Sequence, residues 1–297
     1  MLFNTPTICR ADSLSEIVLD ADRIRWQALS FRAQKFGGTV EAEIKLSSLS
    51  LREYRDQVIP VADAPIQPTA EAVILLTVDT RIDSPGRGEV ALNNRVWLDP
   101  RNGTPLQRVR LRTGEDEFLK KYRFTSEGVY RFSRQPQGDE AQLPPERWSR
   151  VREQFYRIYP SHEACGFQSE MSALIYLVAA AGFTPESAPV GVCMFGKRQW
   201  HRLELQPDGR EQLELSYREV SQGKGVDKTA TVDALRIRLE TEPMDTDLDK
   251  DENFSFLGFT ENVVFYLDIA SGTPVQITGD MPVVRKAELK LREVVLR

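Results

Sequence analysis

The chain has 297 residues, of which 41% are hydrophobic and 28% charged, and its formal net charge is −5. That profile excludes a disordered chain and argues against a nucleic-acid partner, whose binders concentrate basic charge. No stretch reaches the roughly 18 to 20 apolar residues that cross a bilayer, so a membrane-spanning helix is not expected; the best run, Met171 to Phe183, contains Ser172 and Gly182.

The opening, MLFNTPTICRADSLSEIVLD, has neither the basic start nor the apolar core of a secretory signal, so the chain as written reads as cytoplasmic. In VEAEIKLSSL, Val40, Ala42, Ile44 and Leu46 alternate with Glu41, Glu43 and Lys45. This period of two predicts an antiparallel strand with one wet face. A proline-rich loop, Gln57 to Thr69, follows. VWLDPRNGTPLQ then begins at Val96. In QRVRLR, Val109 and Leu111 are expected inward, and Arg108, Arg110 and Arg112 on a solvated face.

KYRFTSEGVYRFSR reads as a hairpin bent at Gly128, with Tyr122, Phe124, Tyr130 and Phe132 on one face. PPERWSRVREQFYRIYP predicts a helix: prolines at its start, Trp148, Val151, Phe155 and Ile158 in a stripe, Pro160 at its end. SEMSALIYLVAAAGF predicts a second, buried helix closed by Gly182. Together these make a helical insert at about 144–182 inside a single domain spanning 1–297, because alternating strands stand on both sides. Pro207-Asp208-Gly209 reads as a hairpin turn. In ALRIRLE, Leu235, Ile237 and Leu239 face inward and Arg236 and Arg238 outward. AELKLREV closes the pattern, after an acidic loop from Glu242 to Asn253.

One phrase occurs twice. From Leu98 to Gln107, six of ten residues match Leu267 to Gln276. In each copy an aspartate (Asp99, Asp268) can accept from backbone N–H groups just ahead, a glycine (Gly103, Gly272) permits the reversal, and a proline (Pro105, Pro274) opens the next strand. Each copy is expected to be a strand–turn–strand corner. Duplication and convergence both remain open.

Chemistry-bearing residues are sparse. His162 stands three residues before Cys165, but no second pair completes a metal site. Asp245, Asp247, Asp249 and Asp251 alternate, yet Lys250 and Phe256 occupy the positions where a calcium loop needs glycine and glutamate. There is no phosphate-binding glycine loop and no nucleophile elbow. No catalytic residue, metal or cofactor is expected. The three cysteines, Cys9, Cys165 and Cys193, are too few for a disulfide framework; one bridge is open, but the odd count gives no reason to expect it.

The order of elements resembles an uncharacterised bacterial envelope family, a domain of unknown function related in shape to the LolA/LolB lipoprotein carriers. VWLDPRNGTPLQRVRLR, YRFTSEGVYRFS, SEMSALIYLVAAAGF, GVCMFGKRQWHRLEL, VDALRIRLETEP and VVFYLDIASGTPVQITGDMPVVRKAELKLREV carry the resemblance. It implies a long curved antiparallel sheet, a half-barrel or partly closed barrel, wrapped around the helical insert, with no enzyme activity. It also implies a periplasmic site of action if the native start differs. A carrier of this kind would bind an apolar or lipid-like molecule, with Trp97, Tyr176, Phe195 and Tyr266 as lining residues. The alternative is an envelope interaction or scaffold protein acting through an exposed sheet edge, with its protein partner unknown and the helix filling the concavity. An unrecognised hydrolase is the remaining reading.

Overall fold

The computed structural model describes residues 18–35, 38–61, 64–84, 86, 88–158, 168–244, 254–281 and 286–297. Eight strands run in sequence, β1 (Trp26–Lys35), β2 (Gly38–Ser50), β3 (Ala72–Ser84), β4 (Gly88–Leu98), β5 (Pro105–Thr113), β6 (Phe118–Phe124), β7 (Gly128–Gln135) and β8 (Arg150–Arg157). Seven more follow, β9 (Gln168–Glu170), β10 (Val190–Phe195), β11 (Trp200–Ser221), β12 (Lys224–Pro243), β13 (Glu261–Asp268), β14 (Pro274–Asp280) and β15 (Lys286–Leu296). They join as one 15-stranded sheet in which two meanders meet at the β1–β15 pair. Pairing is antiparallel except at β9–β10 and at β11–β15. The β11–β15 contact curls the last five strands into a ring. The chain is therefore mainly β, as the alternation predicts, with two short α-helices among the described residues, α1 (Leu51–Arg55) and α2 (Leu174–Ala180).

All seven residues of α2 are buried. A helix this short has no stability of its own. It is held because apolar rows from β1–β4 and from β10–β15 close on it from both sides. Burying Leu174, Ile175, Leu177 and Val178 contributes about 1.5–3 kcal/mol each relative to exposure. Gly182 ends the helix at φ +63, and a Cβ there would meet the Arg23 guanidinium at 2.5 Å.

The repeated phrase forms two matching corners, β4–β5 and β13–β14. Asp99 N donates to Thr104 O and Gly103 N to Asp99 O, at 2.9 and 2.8 Å; Asp268 N and Gly272 N repeat this at 2.9 and 2.7 Å. Asp99 Oδ1 accepts from Arg101 N, as Asp268 Oδ1 does from Ala270 N. The register slips at the same place in both: Trp97 opposes Gln107 and Leu98 opposes Pro105, while Tyr266 opposes Gln276 and Leu267 opposes Pro274. Gly103 and Gly272 have φ of +63 and +67. A Cβ at Gly272 would touch nothing within 4 Å, so alanine there should cost only the left-handed strain, about 1–2 kcal/mol. At Gly103, which is buried, alanine should cost at least as much. Urea midpoints unchanged in both alanine variants would contradict equivalent corners.

Four expectations are corrected. The helix expected after Pro144 is a single 3-10 turn, Pro145–Arg147, followed by β8, so among the described residues the insert at 144–182 contains the edge strand β8, the short β9, a 3-10 turn at Met171–Ala173 and one α-helix, α2. All eight residues of β8 pair with β7; the open backbone edge of β7 overrides a faint helical stripe. Pro207-Asp208-Gly209 is not a hairpin but a bulge within β11, where the register jumps between Pro207 and Arg210. The chain reverses instead at Gln222 and Gly223, both left-handed. The four aromatics of the β6–β7 hairpin divide between faces, because Tyr122 opposes Arg131 whereas Tyr130 opposes Arg123. Finally, Cys193 is disulfide-bonded; His162, Cys165, Cys9 and Asp245 to Asp251 lie outside the described residues.

Candidate ligand cleft

The four aromatic residues expected to line one pocket stand in three separate clusters. Trp97 packs with Tyr54, Leu106 and Trp148 on the outer face of the sheet. Tyr176 and Tyr266 belong to the main core, where the Tyr176 hydroxyl donates to Pro100 O at 3.4 Å. Phe195 meets Tyr122, Phe124 and Trp200 edge-on. The reason is visible in β4: Val96 and Leu98 face α2, so Trp97 must face the other way. There α1 and Trp148 cover it, and the strand end is buried on both sides.

The sheet register also overturns the expectation for Arg108, Arg110 and Arg112. Across β4–β5, Val96 opposes Arg108, Asn94 opposes Arg110 and Leu92 opposes Arg112. Directly opposed residues share a face, so the arginines point to the interior side with Val96, while Val109 and Leu111 serve the outer cluster. The rows continue onto β6 as Tyr122, Lys120 and Phe118, and Tyr122 opposes Arg131 on β7. The inner face thus changes from apolar on β1–β4 to one carrying cations on β5–β7.

A cleft of about 250 Å³ straddles that boundary. One wall is Val78, Ile82, Val90 and Leu92 beside Arg110, Arg112 and Lys120; the other is Met171, Gly196, Lys197, Phe256 and Leu257. None of the four aromatics expected as lining belongs to it. Its described lining carries five cations, Arg108, Arg110, Arg112, Lys120 and Lys197, and no carboxylate.

Arg108 forms the floor. Only 1% of its surface is exposed. Its Nη1 donates to Glu170 Oε2 at 2.6 Å and its Nη2 to Gly196 O at 2.9 Å, clasping β5 to β9 and the end of β10. Its guanidinium lies 4.0 Å from the centre of the Tyr122 ring. Burial alone would lower the Arg108 pKa, but Glu170 and Tyr122 together outweigh it and the value rises. Arg110 Nε donates to Asn94 Oδ1 at 2.9 Å, and burial lowers its pKa.

Lys120 and Tyr122 register the crowding of charge. Burial, then Arg110, Arg131 and Arg198, pushes Lys120 down to about 8, against the opposing pull of Tyr122. Burial would raise Tyr122, yet Arg108, Arg110, Lys120 and Arg131 together bring it to about 8. Both groups release protons in the folded chain near pH 8 and in the unfolded chain above pH 10 or so. Between these limits the unfolded state holds more protons, so stability rises with pH. The melting temperature should therefore climb from pH 8 to 9.5, and less steeply in Lys120→Met; equal slopes would remove this account.

Three arginines at alternate positions were the signal in the sequence. Alternation tells which residues share a face, not which face is interior. Two other clefts, of about 510 and 500 Å³, are larger but carry carboxylates alongside their cations. Asp22, Glu219 and Asp268 accompany Arg25 and Arg297 in the first, and Glu41, Glu43 and Asp79 accompany Arg32, Arg81 and Arg292 in the second.

No family model and no curated protein matches the sequence. Among solved structures, the fold is similar to a β-barrel-like protein of the domain of unknown function DUF1849 from Brucella abortus. The likeness covers 93% of this chain and 99% of that one, at 9% identity and a TM-score of 0.43. At that level it assigns no residue and no activity.

Proposed function

We propose that this chain is a non-enzymatic binding protein whose ligand is an amphipathic, lipid-like molecule held in the inner cleft. The observation that carries the reading is the cleft's position, where the apolar rows of β3 and β4 adjoin the cationic rows of β5 and β6. The helix α2 fills the main concavity, so an apolar ligand has the cleft rather than the barrel centre. At about 250 Å³ the cleft falls below the roughly 300–1,000 Å³ of sites that enclose drug-sized ligands. It suits one end of an amphiphile with the rest outside. Tyr122 is sealed beneath Arg108, and His201 is buried and pushed down to about 4, so neither offers accessible acid–base chemistry. The bonded Cys193 fits an oxidising compartment, in line with an envelope carrier of the LolA/LolB kind.

The test is native mass spectrometry of the purified full chain, then solvent extraction and titration with lauric acid and 1-monolaurin. A bound or acquired amphiphile, weakened by Leu92→Gln, is expected. A clean apo mass with no uptake would sink the reading.

A second reading has its own observation. β8 is an edge strand whose residues are nearly all exposed, including Val151 and Phe155 at 42% and 39%. Such an edge can accept a partner strand, which is the scaffold function. Arg150, Arg152 and Arg157 oppose indiscriminate pairing. Pull-down of a defined partner lost on Val151→Pro, with the amphiphile assays negative, would favour this reading.

A further inference from the structure

We infer that Arg110, Arg112 and Lys120 form an anion subsite that takes the carboxylate or phosphate end of the ligand. This deepens the cleft reading and rests on it. The three side chains project from adjacent strands in two register rows, Asn94–Arg110–Lys120 and Leu92–Arg112–Phe118. They are half-buried, and none has a carboxylate within ion-pair distance among the described residues. Arg112 Nε and Arg108 Nε are buried with no hydrogen-bond partner among the described residues. Arg108 itself is already neutralised by Glu170, so the charge it adds to the cleft is small.

Half-buried cations held together without counter-charge repel one another and lose hydration. A protein tolerates that arrangement where an anion completes it. Guanidinium groups on a rigid strand row present forked donors that suit both carboxylate and phosphate. The apolar end has a defined course as well: Leu92 is the cross-strand neighbour of Arg112, and Val90 and Ile82 continue away from the charge. The larger clefts carry their own carboxylates and lack this imbalance.

The experiment compares calorimetric binding of dodecyl phosphate, 1-monolaurin and inorganic phosphate to the full chain. Wild type should bind dodecyl phosphate about tenfold or more tightly than the neutral 1-monolaurin. Arg112→Gln and Lys120→Met should each reduce that preference, and urea unfolding of each variant checks that it folds. Added salt should weaken only the anionic ligand. Equal affinity for the anionic and neutral amphiphiles overturns the subsite and leaves the cleft reading standing. Binding of inorganic phosphate alone, lost in both variants, supports the subsite and removes the amphiphile. No binding of any of the three overturns both.

Discussion

Arg108→Met should lower the unfolding free energy by about 3–5 kcal/mol, the range for breaking one side of a buried ion pair. Both side chains are sealed, at 2% and 0% exposure, and Nη1 lies 2.6 Å from Glu170 Oε2. Removing the arginine leaves a carboxylate in the interior without solvent, and its Oε1 already lacks a partner among the described residues. The loss also frees Gly196 O from Nη2 and uncaps the Tyr122 ring. Since the clasp spans β5 and the β9–β10 end of the sheet, the effect extends beyond one contact. Glu170→Gln should cost less, because a neutral amide still accepts a hydrogen bond from the guanidinium. The double variant should fall well short of the summed losses, since neither charge is then stranded. Urea unfolding of the four proteins gives the coupling directly. A loss below about 1 kcal/mol for Arg108→Met would show that the pair does not hold the sheet ends together.

Trp97→Ala should be similarly costly, about 3–5 kcal/mol, and should leave ligand binding in the cleft unchanged. Trp97 is 2% exposed and packs among Tyr54, Val73, Leu106 and Trp148. This cluster fastens α1 and the proline-rich loop to the outer face of the sheet. Arg123 and Gln107 make the polar part of that attachment: Arg123 Nη1 donates to the Tyr54 hydroxyl, and Gln107 links Gln57 O and Ile59 N. Deleting the indole leaves a cavity that rigid strands close poorly. Because the cleft lies on the opposite face, amphiphile affinity should survive at temperatures where the variant is folded. Selective loss of binding, with normal stability, would return Trp97 to the ligand.

The sequence by itself determined the mainly β character, a buried helix within SEMSALIYLVAAAGF, whose α-helical part is Leu174–Ala180, and the paired corners at Gly103 and Gly272. Those features depend on local periods and on turn chemistry, which neighbouring residues fix. It also identified Arg108, Arg110 and Arg112 as sharing one face. Only the tertiary structure decided that this face is interior, because both faces of β4 and β5 are covered and alternation has no sign. The same limit misplaced Trp97 and hid the link from Arg108 to Glu170, 62 residues away in the chain. Long-range pairing likewise made an edge strand of Arg150–Arg157, where free β7 backbone outweighed helical spacing. It turned Pro207-Asp208-Gly209 into a bulge, since β12 pairs with β11 on both sides of the break. The cleft belongs to this second class: its apolar and cationic walls meet only through strand register, which no single segment encodes.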